Sequence, residues 1–331
     1  MNLDPNRLWI DGCFDFTHHG HCGAILQARR IIPAGTEPSA LICGVHNDRD
    51  ILLNKGGQPV MQEQERYEHT RSNRWCSEVI EDAPYVTQPA VLDAHHCKYV
   101  VHGDDISTDA NGEDCYQVMK DTGRFLVVKR TEGVSTTELI HRILTGSEIC
   151  GCSKEAVEAI IKDEKLSLYA TGPDGHARWC YVFHQNLDQP IVSGGYAFNP
   201  ARAVYIEGDF DLFHVGHIEQ LRALRETSDA GAGARACQEG SKLVVGITSK
   251  NPCYMTLTER VLSVLSCRYV DAVVIDPKTA ELPLNRHELD DTALRTGRFA
   301  YLDRNVIVDR IQAARDHYMQ RNARKGVPLE Q

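Results

Sequence analysis

Short apolar runs recur along the chain, each bounded by glycine or polar residues. "NRLWIDG" opens the first half, "ALICGVH" (40–46) follows, and "LVVGIT" (243–248) lies in the second half. Runs of this length and composition predict buried strands. Two amphipathic stretches, "GHCGAILQARRI" and "GHIEQLRALRE", begin directly after a glycine turn and predict helices. Each half therefore reads strand, glycine turn, helix, strand, loop, helix, strand. That βαβαβ order predicts a parallel sheet with helices on both faces. Ligands of such sheets bind at the carboxyl ends of the strands, beside a topological switch point.

The repeat is visible in the residues. "IDGCFDFTHHGH" (10–21) matches "IEGDFDLFHVGH" (206–217), pairing Asp15 with Asp211, His18 with His214, Gly20 with Gly216 and His21 with His217. "MQEQERYEHTRSNRWCSEVIEDAP" (61–84) parallels "MTLTERVLSVLSCRYVDAVVIDP" (255–277), pairing Glu65 and Arg66 with Glu259 and Arg260. This predicts a first domain over 1–145, an ordered linker over 146–200 and a degenerate second domain over 201–331. The linker contains one helical stretch, "SKEAVEAIIKDEK", and one strand-like run, "ARWCYVFH". The second half is truncated: it is eight residues shorter after its second strand and about 26 shorter after its third. It shows no sequence match to Lys55-Gly56, "HGDD" (102–105) or "RTEGVSTT" (130–137).

Composition narrows the function classes. A net charge of −10 argues against broad contact with nucleic acid or an anionic membrane. No run of about 20 apolar residues is present, and "MNLDPNRLWIDG" reads as leading into a strand rather than as a signal peptide. The twelve cysteines form no regular framework. Cys150 and Cys152 have CxC spacing with no second pair to complete a zinc site. Reduced, buried thiols in a cytoplasmic protein fit this usage.

Two His separated by two residues at a glycine turn project toward one place and can donate hydrogen bonds to phosphate oxygens. Such a His can equally cap the helix, but the same frame in both halves favours ligand contact. Lys55, in "LLNKGGQP", reads as a loop lysine that is either solvated or reaches a ligand. "RTEGVSTT" either caps a helix through Ser135 or Thr136 or forms an anion cradle of hydroxyls, amides and Arg130. "HGDD" ends a strand as a polar turn or as carboxylates facing a cation. No Ser/His/Asp or Cys/His nucleophile stands out, which suits phosphoryl or nucleotidyl transfer.

"GCFDFTHHGH", "NKG", "APY", "HGDD" and "RTEGVSTT" together resemble the HxGH cytidylyltransferases, strongly through residue 145 and partially from 203 to about 312. The resemblance is closest to the tandem-domain type. It implies two Rossmann-like nucleotidyltransferase domains and the reaction of CTP, with magnesium, and phosphoethanolamine to CDP-ethanolamine and pyrophosphate. It implies direct attack on the α-phosphorus, on the route to phosphatidylethanolamine.

Carried over by position, Gly12, Cys13 and Phe14 would run beside CTP. His18 and His21 would stabilise the transition state. Lys55 would bridge the α-phosphate and the incoming phosphate. Arg130, Thr131, Ser135, Thr136 and Thr137 would cradle the triphosphate. Gly103 and Asp104 would frame the nucleotide, with Tyr85 and Asp104 near the amino-alcohol. No protein metal site is implied. The second copy, Asp211, His214, Gly216 and His217, would be weak or inactive, and a dimerisation role for that half is compatible with this reading.

A choline-type relative would carry Trp at Tyr85 and a long amphipathic C-terminal helix. Neither is present, which favours ethanolamine over choline or glycerol phosphate. A regulatory nucleotide-binding pseudoenzyme is disfavoured by the intact Lys55 and "RTEGVSTT".

Overall fold

The computed structural model describes residues 3–131, 133–149, 153–230, 241–248, 251–278, 282, 286–289 and 293–327. The chain forms two compact units, Met1–Thr136 with Pro173–His176, and Thr137–Gly172 with Ala177–Gln331. The Cys150–Cys152 pair lies outside the described residues. The nine described cysteines are free thiols, all buried except the half-buried Cys13.

In the first unit the elements run β1 (Asp4–Gly12), α1 (His19–Arg30), β2 (Ala40–Val45), α2 (Asp48–Lys55), α3 (Glu63–Ser72), β3 (Glu78–Glu81), α4 (Pro89–Ala94), β4 (Cys97–Gly103), α5 (Gln117–Asp121) and β5 (Phe125–Val128). The sheet order is β3-β2-β1-β4-β5, and every pairing is parallel. The switch point of this doubly wound sheet lies between β1 and β4. All six residues of β2, ALICGV, are buried, as expected of a strand covered by helices on both faces. Trp9, Ile42, Leu92, Val100 and Met119 pack together as core, each large apolar side chain contributing about 1.5–3 kcal/mol by its burial.

The second unit contains α6 (Thr136–Thr145), α7 (Lys154–Ile161), α8 (Lys165–Tyr169), β6 (Tyr181–His184), β7 (Pro190–Val192), β8 (Ala203–Gly208), α9 (Val215–Ala230), β9 (Lys242–Ile247), α10 (Leu257–Leu265), β10 (Ala272–Ile275), β11 (Arg286–Glu288), α11 (Arg304–Ala313) and α12 (Arg315–Arg324). Its sheet order is β11-β8-β9-β10-β6-β7, parallel except for the β6–β7 pair. Strands β8, β9 and β10 repeat the order of β1, β2 and β3. The helical stretch of the linker is α7, capped by Ser153, and its strand-like run is β6, which extends the second sheet through β10. Among the described residues no helix is long and apolar enough to cross a membrane.

Candidate active site

At the end of β1 the chain turns sharply before α1. Phe14 and Phe16 hold φ of 44° and 51°, and Phe210 and Leu212 repeat these at 52° and 48°. Bulky residues avoid that region unless their surroundings impose it, at a cost of about 1–3 kcal/mol each. In the first unit Asp15 imposes it. Its carboxylate accepts from the amides of Val60 at 3.1 Å and Met61 at 3.0 Å. Asp211 accepts from Tyr254 and Met255, both at 2.9 Å. Buried Arg66 adds a second tie, donating to the Cys13 carbonyl at 2.6 Å and pairing with Asp48 at 2.8 Å. Asp15 fixes the turn with both carboxylate oxygens.

His18 caps α1, its Nδ1 accepting from the Gly20 amide at 3.1 Å. An accepting ring nitrogen carries no proton, so the neutral ring has its proton on Nε2. A β-carbon at Gly20 would lie 2.8 Å from the His18 ring, which explains the glycine. His21, on the first turn of α1, stacks on His18 with ring centroids 4.2 Å apart. Burial, then the neighbouring His21, holds the His18 pKa well below the ordinary range. Burial, then the charges of Lys55 and Arg130, lowers that of His21 to about 4. Both imidazoles are thus neutral near pH 7 and act as hydrogen-bond donors rather than as cations.

Lys55 is not in a loop. It is the last residue of α2, and Gly56 closes that helix in the left-handed conformation at φ 70°. The loop expectation failed because the polar sequence "NDRDILLNK" hides a helix capped by Asn47, whose side chain accepts from the Asp50 amide at 2.6 Å. The Lys55 ammonium hydrogen-bonds the Cys13 thiol and lies within electrostatic reach of Tyr85 and Asp15. Burial opposes its charge, but those neighbours outweigh it and raise its pKa. Tyr85 is buried, its ring 4.9 Å from that of His46, and burial pushes its hydroxyl up to about 12.

The Arg130 charge is felt by both His18 and His21, and its amide donates to Asp104 at 3.4 Å. Thr136 donates its hydroxyl to the Asp15 carbonyl at 3.3 Å, with His18 Nε2 3.4 Å away. Thr131 and Ser135 lie half-buried on the same turn. Gly12 and Gly103 end the adjacent strands β1 and β4. Thr137 belongs to the second compact unit, where its carbonyl accepts from Asn322 at 3.1 Å. Among the described residues no three His, Cys, Asp or Glu side chains come together as a metal site.

One residue escaped the sequence reading. Asp11 is 4% exposed and accepts from Trp9 Nε1 at 2.8 Å, from the Tyr116 hydroxyl at 2.5 Å and from the Thr87 hydroxyl. A carboxylate one residue before the end of a buried strand is the only sequence signal. Its partners stand as far as 105 positions away in the chain.

The second unit repeats more of this geometry than its sequence suggests. His214 Nδ1 accepts from Gly216 at 3.2 Å, and His214 and His217 stack at 3.7 Å. Arg260 donates to the Asp209 carbonyl at 2.7 Å, as Arg66 does to Cys13. Strand β11 pairs with β8 in the register that β4 holds against β1, matching Val101 with His287. "HEL" (287–289) therefore stands where "VHG" (101–103) stands in the first unit, so the strand absent by sequence is present. The Val134 side chain lies over Gly20, and the Leu302 carbonyl lies over Gly216. This aligns "RFAYLDRN" (298–305) with "RTEGVSTT". The turn survives with its hydroxyls replaced: Asp303 for Ser135, Arg304 for Thr136 and Asn305 for Thr137. Arg304 Nε pairs with Asp211 at 3.1 Å. Glu207, Asp209, Asp211, His217, Glu288, Leu289, Asp303 and Arg304 are among the residues lining a cavity of about 540 Å³ there.

The family model described as Cytidylyltransferase-like matches residues 9–142. An ethanolamine-phosphate cytidylyltransferase of Saccharomyces cerevisiae is 50% identical over 99% of this chain and 99% of its own length. One of Mus musculus is 36% identical, covering 86% of this chain and 74% of that protein. Choline-phosphate cytidylyltransferase A of Mus musculus is 37% identical over only 44% of this chain and 38% of its own. The chain belongs to the ethanolamine-phosphate cytidylyltransferase family.

Proposed function

We propose that the first unit joins CTP and phosphoethanolamine into CDP-ethanolamine and releases pyrophosphate. The observation that carries this reading is the meeting of Lys55, Arg130 and the stacked neutral imidazoles of His18 and His21 at the carboxyl end of β1. Magnesium arriving with CTP would neutralise part of the triphosphate charge, a task that Lys55 and Arg130 would share.

A phosphate oxygen of phosphoethanolamine attacks the α-phosphorus in line. The bond to the β-phosphate bridging oxygen breaks, and that oxygen leaves on pyrophosphate. Charge grows on the α-phosphate oxygens and the leaving group, with no covalent enzyme intermediate. The Nε2–H of His18 and the ring of His21 donate to this charge. Lys55, protonated and tethered beside Cys13, neutralises the approach of two anions that otherwise repel each other. Arg130, Thr131, Ser135 and Thr136 hold the triphosphate, and Gly12 and Gly103 give the nucleoside a backbone surface at the switch point.

The primary ammonium of the substrate needs acceptors rather than an aromatic cage. Buried Asp11, hydrogen-bonded by Thr87 and Tyr116, acts electrostatically on His46, whose ring lies 4.9 Å from that of Tyr85, and would supply negative charge to this end of the site. The near full-length match to ethanolamine-type relatives supports this choice over choline.

The test incubates the purified chain with MgCTP and phosphoethanolamine, phosphocholine or glycerol 3-phosphate and quantifies CDP-alcohol and pyrophosphate. CDP-ethanolamine should dominate. Equal turnover of phosphocholine would remove the role given to Asp11, and no product with any acceptor would refute the reading.

A further inference from the structure

The two units present the same crevice differently at one residue. Extending the β1–β4 register by two positions sets Gly12 opposite Gly103. The same extension of β8–β11 sets Gly208 opposite Leu289, whose amide is fixed by the Glu207 carbonyl at 2.8 Å. A β-carbon built on Gly208 would lie 2.4 Å from that of Leu289, so this side chain covers the glycine. At Gly12 the nearest neighbour of such a β-carbon is the Phe14 ring at 3.6 Å; Gly103 opposite presents no side chain of its own, and only the Asp105 carboxylate lies near, 2.7 Å from where a β-carbon on Gly103 would be.

We propose that Leu289 is the specificity-determining residue that confines CTP to the first unit. The inference rests on the reading that the Gly12–Gly103 gap takes the nucleoside. Two parallel strand ends without side chains leave room for a flat ring or a ribose against the backbone. A leucine in that gap occupies the volume itself. The second unit keeps its stacked imidazoles and an open cavity of about 540 Å³, so the loss is not a general collapse of the site. Charge acts in the same direction. Around that cavity the carboxylates of Asp209, Asp211, Glu288 and Asp303 outnumber the guanidiniums of Arg295 and Arg304, and the Arg304 charge is already paired with Asp211. A triphosphate entering there meets acid where the first unit offers hydroxyls.

Equilibrium dialysis of the full chain against radiolabelled MgCTP tests this, with CDP-ethanolamine formation measured on the same samples. The wild type should bind one CTP per chain. Leu289→Gly should gain a second site, tightened about 10- to 100-fold over the wild-type background, the range that steric overpacking produces. Its rate of CDP-ethanolamine formation should be unchanged. Leu289→Ala gives the same readout with less backbone freedom should the glycine variant fail to fold. Gly103→Leu, the reciprocal change, should weaken CTP binding at the first site by a similar factor. Two CTP per wild-type chain at similar affinity would overturn the proposal. So would a folded Leu289→Gly or Leu289→Ala chain that still binds one. A wild type that neither binds CTP nor forms product would instead refute the first-unit reading.

Discussion

The hydroxyl of Thr136 lies 3.4 Å from Nε2 of His18, the nitrogen left protonated when Nδ1 accepts from the Gly20 amide. Thr136 also reaches the Asp15 carbonyl. One side chain therefore links the imidazole to the turn that precedes it. Thr136→Val keeps the shape and removes these hydrogen bonds. A neutral hydrogen bond contributes about 0.5–1.5 kcal/mol, so kcat should fall by up to about tenfold. Thr136→Ser should retain most activity. Wild-type kinetics for the valine variant, measured under saturating CTP, would mean that the contact does nothing.

The histidines give the fold a pH dependence of definite sign. His21 titrates near 4 in the folded chain, against an ordinary value of 6.5, because burial and then Lys55 and Arg130 oppose its charge. The unfolded chain binds this proton first as pH falls. The stabilisation is therefore complete above 6.5 and is lost progressively as pH falls toward about 4. Urea unfolding should show declining stability across that window. His21→Gln should flatten part of the decline. A variant whose pH profile overlays the wild type would contradict the lowered pKa of His21.

Asp11 accepts hydrogen bonds from Trp9, Thr87 and Tyr116. Asp11→Asn removes the charge and turns one acceptor oxygen into a donor. Disrupting a buried charged hydrogen-bond network costs about 1.5–3 kcal/mol per bond to the charge, so urea unfolding should register a loss on that scale. The kinetic signature should be separable from stability. KM for phosphoethanolamine should rise by tenfold or more, and KM for CTP should change little. Equal rises in both would assign Asp11 to the scaffold alone.

Much of this molecule was legible in its residues, for identifiable reasons. The duplicated turn is written in sequence because each copy uses the same residue types: His18 and His214 accept from the glycine amide two positions on, and Asp15 and Asp211 accept from amides 43 to 46 positions on. The stack of His18 on His21 follows from their spacing at the start of a helix. What the sequence hid depends on register rather than on residue type. Strand β11 is held in place by its backbone pairing with β8, so it survives although "HEL" (287–289) matches none of "VHG" (101–103). The "RFAYLDRN" turn is likewise fixed by packing over Gly216 after its hydroxyls were replaced. Asp11 was illegible because its partners are distant in the chain. Lys55 was misplaced because a short polar helix has no apolar stripe to reveal it.

A single pair of substitutions tests most directly whether one unit does the chemistry. His21→Ala and His217→Ala remove equivalent rings from the two stacks. CDP-ethanolamine formation from saturating MgCTP and phosphoethanolamine should fall by at least about 100-fold for His21→Ala, the scale of one transition-state donor, and by less than about threefold for His217→Ala. Comparable, severe loss in two folded variants would show that the second unit takes part in the reaction and would contradict a single working site in the first.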